Sequence, residues 1–199
     1  MKKIVIASRN EGKIKEIKNF LHGLDIEILT LNDFPDIPEI EEDGRTFEEN
    51  AIKKAKTVFE LTKLTALADD SGLEVKYLGG EPGVDSAYFA GKKATDQQNN
   101  DKLLELLKDV QMDDRKARFK CILVLHNSLY NNIIFEAKCD GYIIDQPKGE
   151  LGFGYDPLFV PEGYTKTFGE LDLVTKNKIS HRGRALGSLR SYVEKMQTI

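Results

Sequence analysis

Asp69 and Asp70 stand side by side at the end of the apolar run Ala66 to Ala68, and Ser71-Gly72 follows them. An apolar run bounded by a Ser-Gly turn signal predicts a buried strand that ends at a tight turn. Carboxylates at such a strand end lie at the rim of a sheet, where α/β proteins place their ligands. Side chains alternate along a strand, so the two aspartates are expected on opposite sides. One is then placed to serve a metal or a water while the other braces the turn. Asp-Ser-Gly is also ordinary turn chemistry, so the pair needs support from elsewhere in the chain.

Ser8-Arg9-Asn10-Glu11-Gly12-Lys13 follows the N-terminal apolar run and opens a helical pattern. A strand, a polar loop and a helix start present backbone N–H groups and a positive dipole end that suit an anion. Lys13 adds a mobile charge, and Gly12 lets a ligand approach the backbone. The segment is not a Walker motif, and a plain connecting loop is the competing reading. Glu41-Glu42-Asp43 precedes another capped helix, where acidic residues favour the helix N-terminus by themselves. Lys54 on that helix fits a phosphate contact and a solvated surface position equally well.

Late in the chain, Gly152-Phe153-Gly154-Tyr155-Asp156-Pro157 combines rings with backbone freedom, and Ser180-His181-Arg182 marks a helix start. An aromatic face can stack a purine, Asp156 can accept from ring N–H groups, and Arg182 can donate to a purine O6. Aromatic residues beside glycine also serve as loop anchors, which leaves a structural role open for Tyr155.

These segments, in this order and at these separations, resemble the inosine triphosphate pyrophosphatase family over about Ile4 to Leu189. The resemblance implies magnesium-dependent hydrolysis of ITP, dITP and XTP to the monophosphate and pyrophosphate. It implies an elongated α/β fold: a mixed central sheet flanked by helices, with two lobes and a deep nucleotide-binding cleft. By the same resemblance Ser8, Arg9, Asn10, Glu11, Gly12, Lys13, Ser71 and Lys176 bind substrate. Phe153, Gly154, Tyr155, Asp156, His181 and Arg182 hold the base. Asp70 is the catalytic carboxylate, and Glu41 and Asp70 are the magnesium ligands. Ser8-Arg9 departs from the Thr-Gly or Thr-Thr of many members, so the contacts of these two positions are open. A homodimer is expected on the same ground. The alternatives are a septum-formation-type pyrophosphatase for pyrimidine or modified nucleotides, a phosphatase with an aspartyl nucleophile, and a non-catalytic nucleotide-binding module.

The elements that must position these residues are legible as patterns. A strand is expected at 2–8, a helix from Lys13 to Leu21 with Ile14, Ile17, Phe20 and Leu21 inward, and a strand at 26–29. An acidic loop over 31–45 is long enough to suggest a role. Thr46-Phe47-Glu48-Glu49 reads as a capping box for a helix over 46–63, and Thr95-Asp96-Gln97-Gln98 as another for a helix to about Lys108. Two long strands, 117–125 and 133–144, are expected to form a hairpin centred near residue 130. Ser180 is expected to cap a last helix with Ala185, Leu186, Leu189, Val193 and Met196 inward.

The 199 residues suit one domain, residues 1–199, able to bury a substantial core. The composition, 40% hydrophobic and 31% charged, is that of a globular protein. A net charge of −4 argues against a general nucleic-acid binder. No apolar run approaches the ~20 residues that span a bilayer, so no membrane association is expected and the cytoplasm is the default location. Cys121 and Cys139 would face each other across the hairpin, yet reduced buried thiols are the expected state.

Overall fold

In the computed structural model, which describes residues 3–129 and 131–197, the N-terminal apolar run becomes strand β1 (Lys3–Ile6). Helix α1 (Glu11–Leu21), strand β2 (Glu27–Thr30), helix α2 (Phe47–Thr62) and strand β3 (Thr65–Val75) follow. Strand β1 pairs in parallel with both β2 and β3. After α3 (Asp96–Leu107) come β4 (Lys116–Asn127), β5 (Asn131–Ile143) and the short β6 (Phe159–Pro161), which pairs antiparallel with β5. Helices α4 (Leu173–Ile179) and α5 (His181–Gln197) complete the order. The strands form one six-stranded sheet in the order β2-β1-β3-β4-β5-β6. This is the α/β class with a mixed sheet and flanking helices that the sequence implies.

Strand β3 departs from expectation. It does not end at Asp70 but runs unbroken from Thr65 to Val75 through Ser71-Gly72. It lies between β1 and β4, and residues 66–70 are all buried. Membership of the sheet overrides the local turn preference of Ser-Gly, although β1 pairs only with Thr65, Ala66 and Leu67. Both β6 and α4 are too short to show a period in the sequence. The expected hairpin centre, Tyr130, and Lys2 of the expected first strand lie outside the described residues.

The caps follow their chemistry. Asn10 Oδ1 accepts the Lys13 N–H at 3.0 Å and opens α1. Thr46 Oγ1 accepts the Glu49 N–H at 3.1 Å, but the Glu49 carboxylate takes the Arg45 N–H, so only one arm of that expected box forms. Thr95 and Gln98 close a complete box on α3. Ser180 closes α4 and directly precedes α5.

The chain divides into two compact units. The first comprises Met1–Asp70, Cys121–Ala137 and Gly183–Ile199. Its core joins Ile4, Ile6, Ile14, Ile17, Leu67 and Leu123 to Ala185, Leu186, Leu189 and Val193, so the predicted inner faces of α1 and α5 are buried except at Phe20 and Met196, which are half-buried. The second comprises Ser71–Lys120 and Lys138–Arg182, with a more aromatic core of Phe119, Tyr155, Phe159 and Phe168 around Leu73, Leu103 and Leu107. Cys121 belongs to the first and Cys139 to the second, both are buried, and they form no disulfide.

Candidate active site

In the first unit Asp69 and Asp70, in the middle of β3, belong to a cluster of carboxylates and lysines. Lys13, in the first turn of α1, places Nζ 2.7 Å from Asp69 Oδ1. Cys121 Sγ donates to Asp69 Oδ2 at 3.4 Å. Lys54, from α2, reaches Asp70 Oδ1 at 2.7 Å, Glu42 Oε1 at 3.1 Å and the Asp69 carbonyl at 2.8 Å. Asn50, one turn earlier on α2, donates weakly to Asp70 Oδ2 at 3.4 Å and accepts the Gly44 N–H at 2.7 Å. Asp69 and Asp70 thus serve different partners, as strand alternation requires.

Burial pushes the Asp70 carboxyl up to about 6; Lys54 and Lys13 oppose the shift, while the charge and hydrogen bond of Glu42 add to it. Burial also acts on Glu42, but Lys54, the Asp70 hydrogen bond and Lys13 outweigh it and hold Glu42 below the usual carboxylate range. Burial disfavours the Lys54 charge, yet Asp70 and Glu42 together hold its pKa above the ordinary value. Three carboxylates, Asp69, Asp70 and Glu42, therefore face two lysines, Lys13 and Lys54. The excess acid is Asp70, poised near neutrality.

The second unit carries the other cluster. Lys176 Nζ lies 2.6 Å from Asp156 Oδ2, and both side chains are almost fully buried. The same Asp156 oxygen accepts the Phe153 N–H at 2.8 Å. A side chain at Gly152 would run into that carboxylate, and the residue sits at φ +82, so glycine is required there. The half-buried Phe153 ring has Lys176 Nζ at 5.1 Å and Arg182 Cζ at 5.4 Å from its centroid. Arg182 Nη2 donates to Ser71 Oγ at 2.7 Å, which orients the guanidinium. The His181 ring stacks on Phe119 at 4.6 Å and is buried in the aromatic core.

Residues 4–192 of the chain match the Ham1 family model. The chain belongs to the Ham1 family. It is 49% identical to a dITP/XTP pyrophosphatase of Geobacter sulfurreducens, with 97% of each chain covered. It is 50% identical to a protein of the same name from Desulforamulus reducens over 92% of each. A HAM1 protein of Coxiella burnetii superposes with a TM-score of 0.89 at 42% identity, covering 98% of this chain and 100% of that one. The resemblance read from the ordered motifs thus holds over nearly the whole Ham1 chain.

The structure sorts the expected site residues of this Ham1 chain into the two clusters. Lys13 and Asp70 meet in the first; Ser71, Phe153, Asp156, Lys176 and Arg182 meet in the second, with His181 in the adjoining core. Lys176, implied as a phosphate ligand, sits with the base-loop carboxylate. Tyr155 is buried, and its hydroxyl donates to the Ser86 carbonyl at 2.9 Å, which makes it a loop anchor. Its hydroxyl is held protonated, mainly by burial and further by Asp96. Arg9 Nη2 donates to the Ile37 carbonyl at 2.9 Å and so ties the acidic loop to the segment after β1. Asn10 caps α1, Ser8 Oγ accepts the Asn10 N–H, Glu11 is exposed, and Gly12 lies in the first helical turn.

Glu41 and Glu42 are both exposed residues, and the carboxylate of the acidic loop that meets Asp70 is Glu42. Glu42, Asn50 and the placement of Lys54 are what sequence reasoning missed. Lys54 had a signal. It recurs with Phe47, Asn50, Ala51, Ala55 and Val58 at helical spacing, and all six are buried. Glu42 had none, because its loop has no period.

Proposed function

We propose that the chain hydrolyses non-canonical purine nucleoside triphosphates, ITP, dITP and XTP, to the monophosphate and pyrophosphate with magnesium. The single observation that carries this reading is the buried Asp70, raised to about 6 and paired with Lys54 in a cluster that also holds Lys13. Such a carboxylate is ionised at neutral pH yet basic enough to accept a proton. The names of the relatives, dITP/XTP pyrophosphatases, support the same class.

Magnesium fits the donor set. It prefers oxygen ligands and takes one or two carboxylates together with substrate phosphates and waters. Asp70 and Glu42 would hold the ion. Their excess of carboxylate over lysine is what a cation would balance. When bound, the ion supplies positive charge against the phosphate oxygens.

In the reaction, a water oxygen bonds to the α-phosphorus and gives its proton to Asp70. The bond from the α-phosphorus to the bridging oxygen breaks, and pyrophosphate leaves with the electron pair. Lys54 holds Asp70 in place, and Lys13, held by Asp69, offsets charge developing on the phosphates. In the second unit Phe153 offers the stacking face, and Arg182 donates toward O6 of hypoxanthine or xanthine.

Incubation with a nucleotide panel and magnesium, resolving monophosphate, diphosphate, pyrophosphate and orthophosphate, tests the reading. Inosine and xanthosine monophosphates with pyrophosphate are expected; a diphosphate with orthophosphate would refute it. We also infer a single catalytic domain over residues 1–199 that works as a cytoplasmic homodimer. Among the described residues no helix is long and apolar enough to cross a membrane. Sedimentation at the monomer mass would remove the dimer.

A further inference from the structure

The loop that carries Phe153 is held by two side chains that have no place in the chemistry above. Asp96 Oδ2 accepts the Gly154 N–H at 2.6 Å, and Asn100 Nδ2 donates to the Gly154 carbonyl at 3.1 Å. The two residues are four apart on α3, hence on one helix face. Together they hold both polar backbone groups of one residue, which sits at φ +61, a conformation that favours glycine although there is open space where a Cβ would stand.

Neither grip serves the helix itself. The N-terminus of α3 is closed by the complete Thr95–Gln98 box, so the exposed Asp96 carboxylate is not the cap. Asn100 is 5% exposed, and its Oδ1 accepts from no group among the described residues. A buried acceptor without a donor lowers stability, so the amide is a poor choice for packing alone. Local bonding that favours one loop geometry at the expense of stability is the mark of a functional constraint.

The same helix face extends the hold. Asn99 Oδ1 accepts the Ala90 N–H at 2.8 Å, and its Nδ2 donates to the Ala87 carbonyl at 3.2 Å. That segment contains Ser86, whose carbonyl takes the Tyr155 hydroxyl and whose Oγ accepts the Leu73 N–H at 2.9 Å. The Gly154 backbone and the Tyr155 side chain are thus both referenced to α3, with Phe153 immediately before them.

We propose that Asp96 and Asn100 are positioning residues that set base selectivity by fixing the Gly154 backbone, which keeps the Phe153 ring beside Arg182 and Lys176. The inference rests on the reading that the 153–156 loop receives the base. The full-length chain carrying Asp96→Ala, Asp96→Asn or Asn100→Ala is compared with its parent in steady-state kinetics on ITP and ATP with magnesium, and in thermal melting. Asp96→Ala and Asn100→Ala narrow the ratio of kcat/KM for ITP over ATP by about tenfold, less than the ~100-fold that a 1 Å misplacement can cost. KM for ITP rises more than kcat falls. Asp96→Asn keeps a carbonyl oxygen for the Gly154 N–H and restores the ratio. Asn100→Ala melts no lower than its parent. An unchanged ratio with a lowered melting temperature in both alanine variants would make the residues structural only and overturn the proposal. Equal turnover of ITP and ATP by the unmodified parent would instead overturn the base-loop reading, and the inference with it.

Discussion

Lys54 Nζ lies 2.7 Å from Asp70 Oδ1, with both side chains more than nine-tenths buried. Lys54 is also ion-paired to Glu42, at 3.1 Å. Replacing it leaves the buried Asp70 carboxylate without its ion-pair partner. Lys54→Met is expected to lower kcat by roughly 100-fold or more and stability by about 3–5 kcal/mol at pH 8. At pH 5, where Asp70 carries its proton, the stability loss shrinks. Kinetics and melting at the two pH values check both statements.

Asp70 titrates from about 6 in the folded chain against 3.8 when unfolded. Between these values the folded state keeps a proton that the unfolded state releases. Its contribution to stability is therefore full below 3.8 and lost as pH rises through about 6. Asp70→Asn removes this dependence. In metal-free buffer the melting temperature of Asp70→Asn relative to the parent is expected to rise from pH 4 to pH 7. A flat difference would place the raised proton elsewhere.

The same substitution acts on catalysis. Asp70→Asn is expected to reduce kcat by roughly 10²–10⁴-fold, the range for loss of a general base, with nucleotide affinity changed much less. Asp69→Asn is expected to be milder, because Asp69 acts through Lys13. Equal or reversed effects on kcat would reassign the two aspartates.

Attack at the α-phosphorus has an isotopic signature. Reaction in ¹⁸O-labelled water is expected to place the label in the nucleoside monophosphate. Label confined to pyrophosphate would mean attack at the β-phosphorus.

Arg182 carries the selectivity prediction. Hypoxanthine and xanthine present an acceptor at O6, whereas adenine presents an amino donor there. Facing adenine, a guanidinium oriented by Ser71 and Phe153 would meet donor with donor. Inosine and xanthosine triphosphates are expected to exceed ATP in kcat/KM by up to roughly 10⁴–10⁵-fold. Arg182→Ala should shrink that gap, as a competition assay between ITP and ATP would measure.

How much of this was legible in the sequence depended on periodicity. The inner faces of α1 and α5 follow from helical spacing, and Thr95–Gln98 from capping chemistry. The spacing that buries Ala51, Ala55 and Val58 also buries Asn50 and Lys54. That Lys54 then meets Asp70 depends on how α2 packs against β3, which spacing along one element does not contain. The passage of β3 through Ser71-Gly72 is hidden for a related reason, since the sheet to which the strand belongs overrides a local turn signal. Glu42 and Glu41 are indistinguishable in a loop without a period, and the partner of the Tyr155 hydroxyl lies 69 residues away.

One oxygen, Asp156 Oδ2, holds the Phe153 amide and the Lys176 ammonium and closes the space above Gly152. For a lineage under selection for a different base, this is epistasis written into a single atom. A change at 152, 156 or 176 alone strands the other two, so each first step is uphill. New preferences are reachable sooner through Phe153 and Arg182, whose side chains can vary while that oxygen stays satisfied.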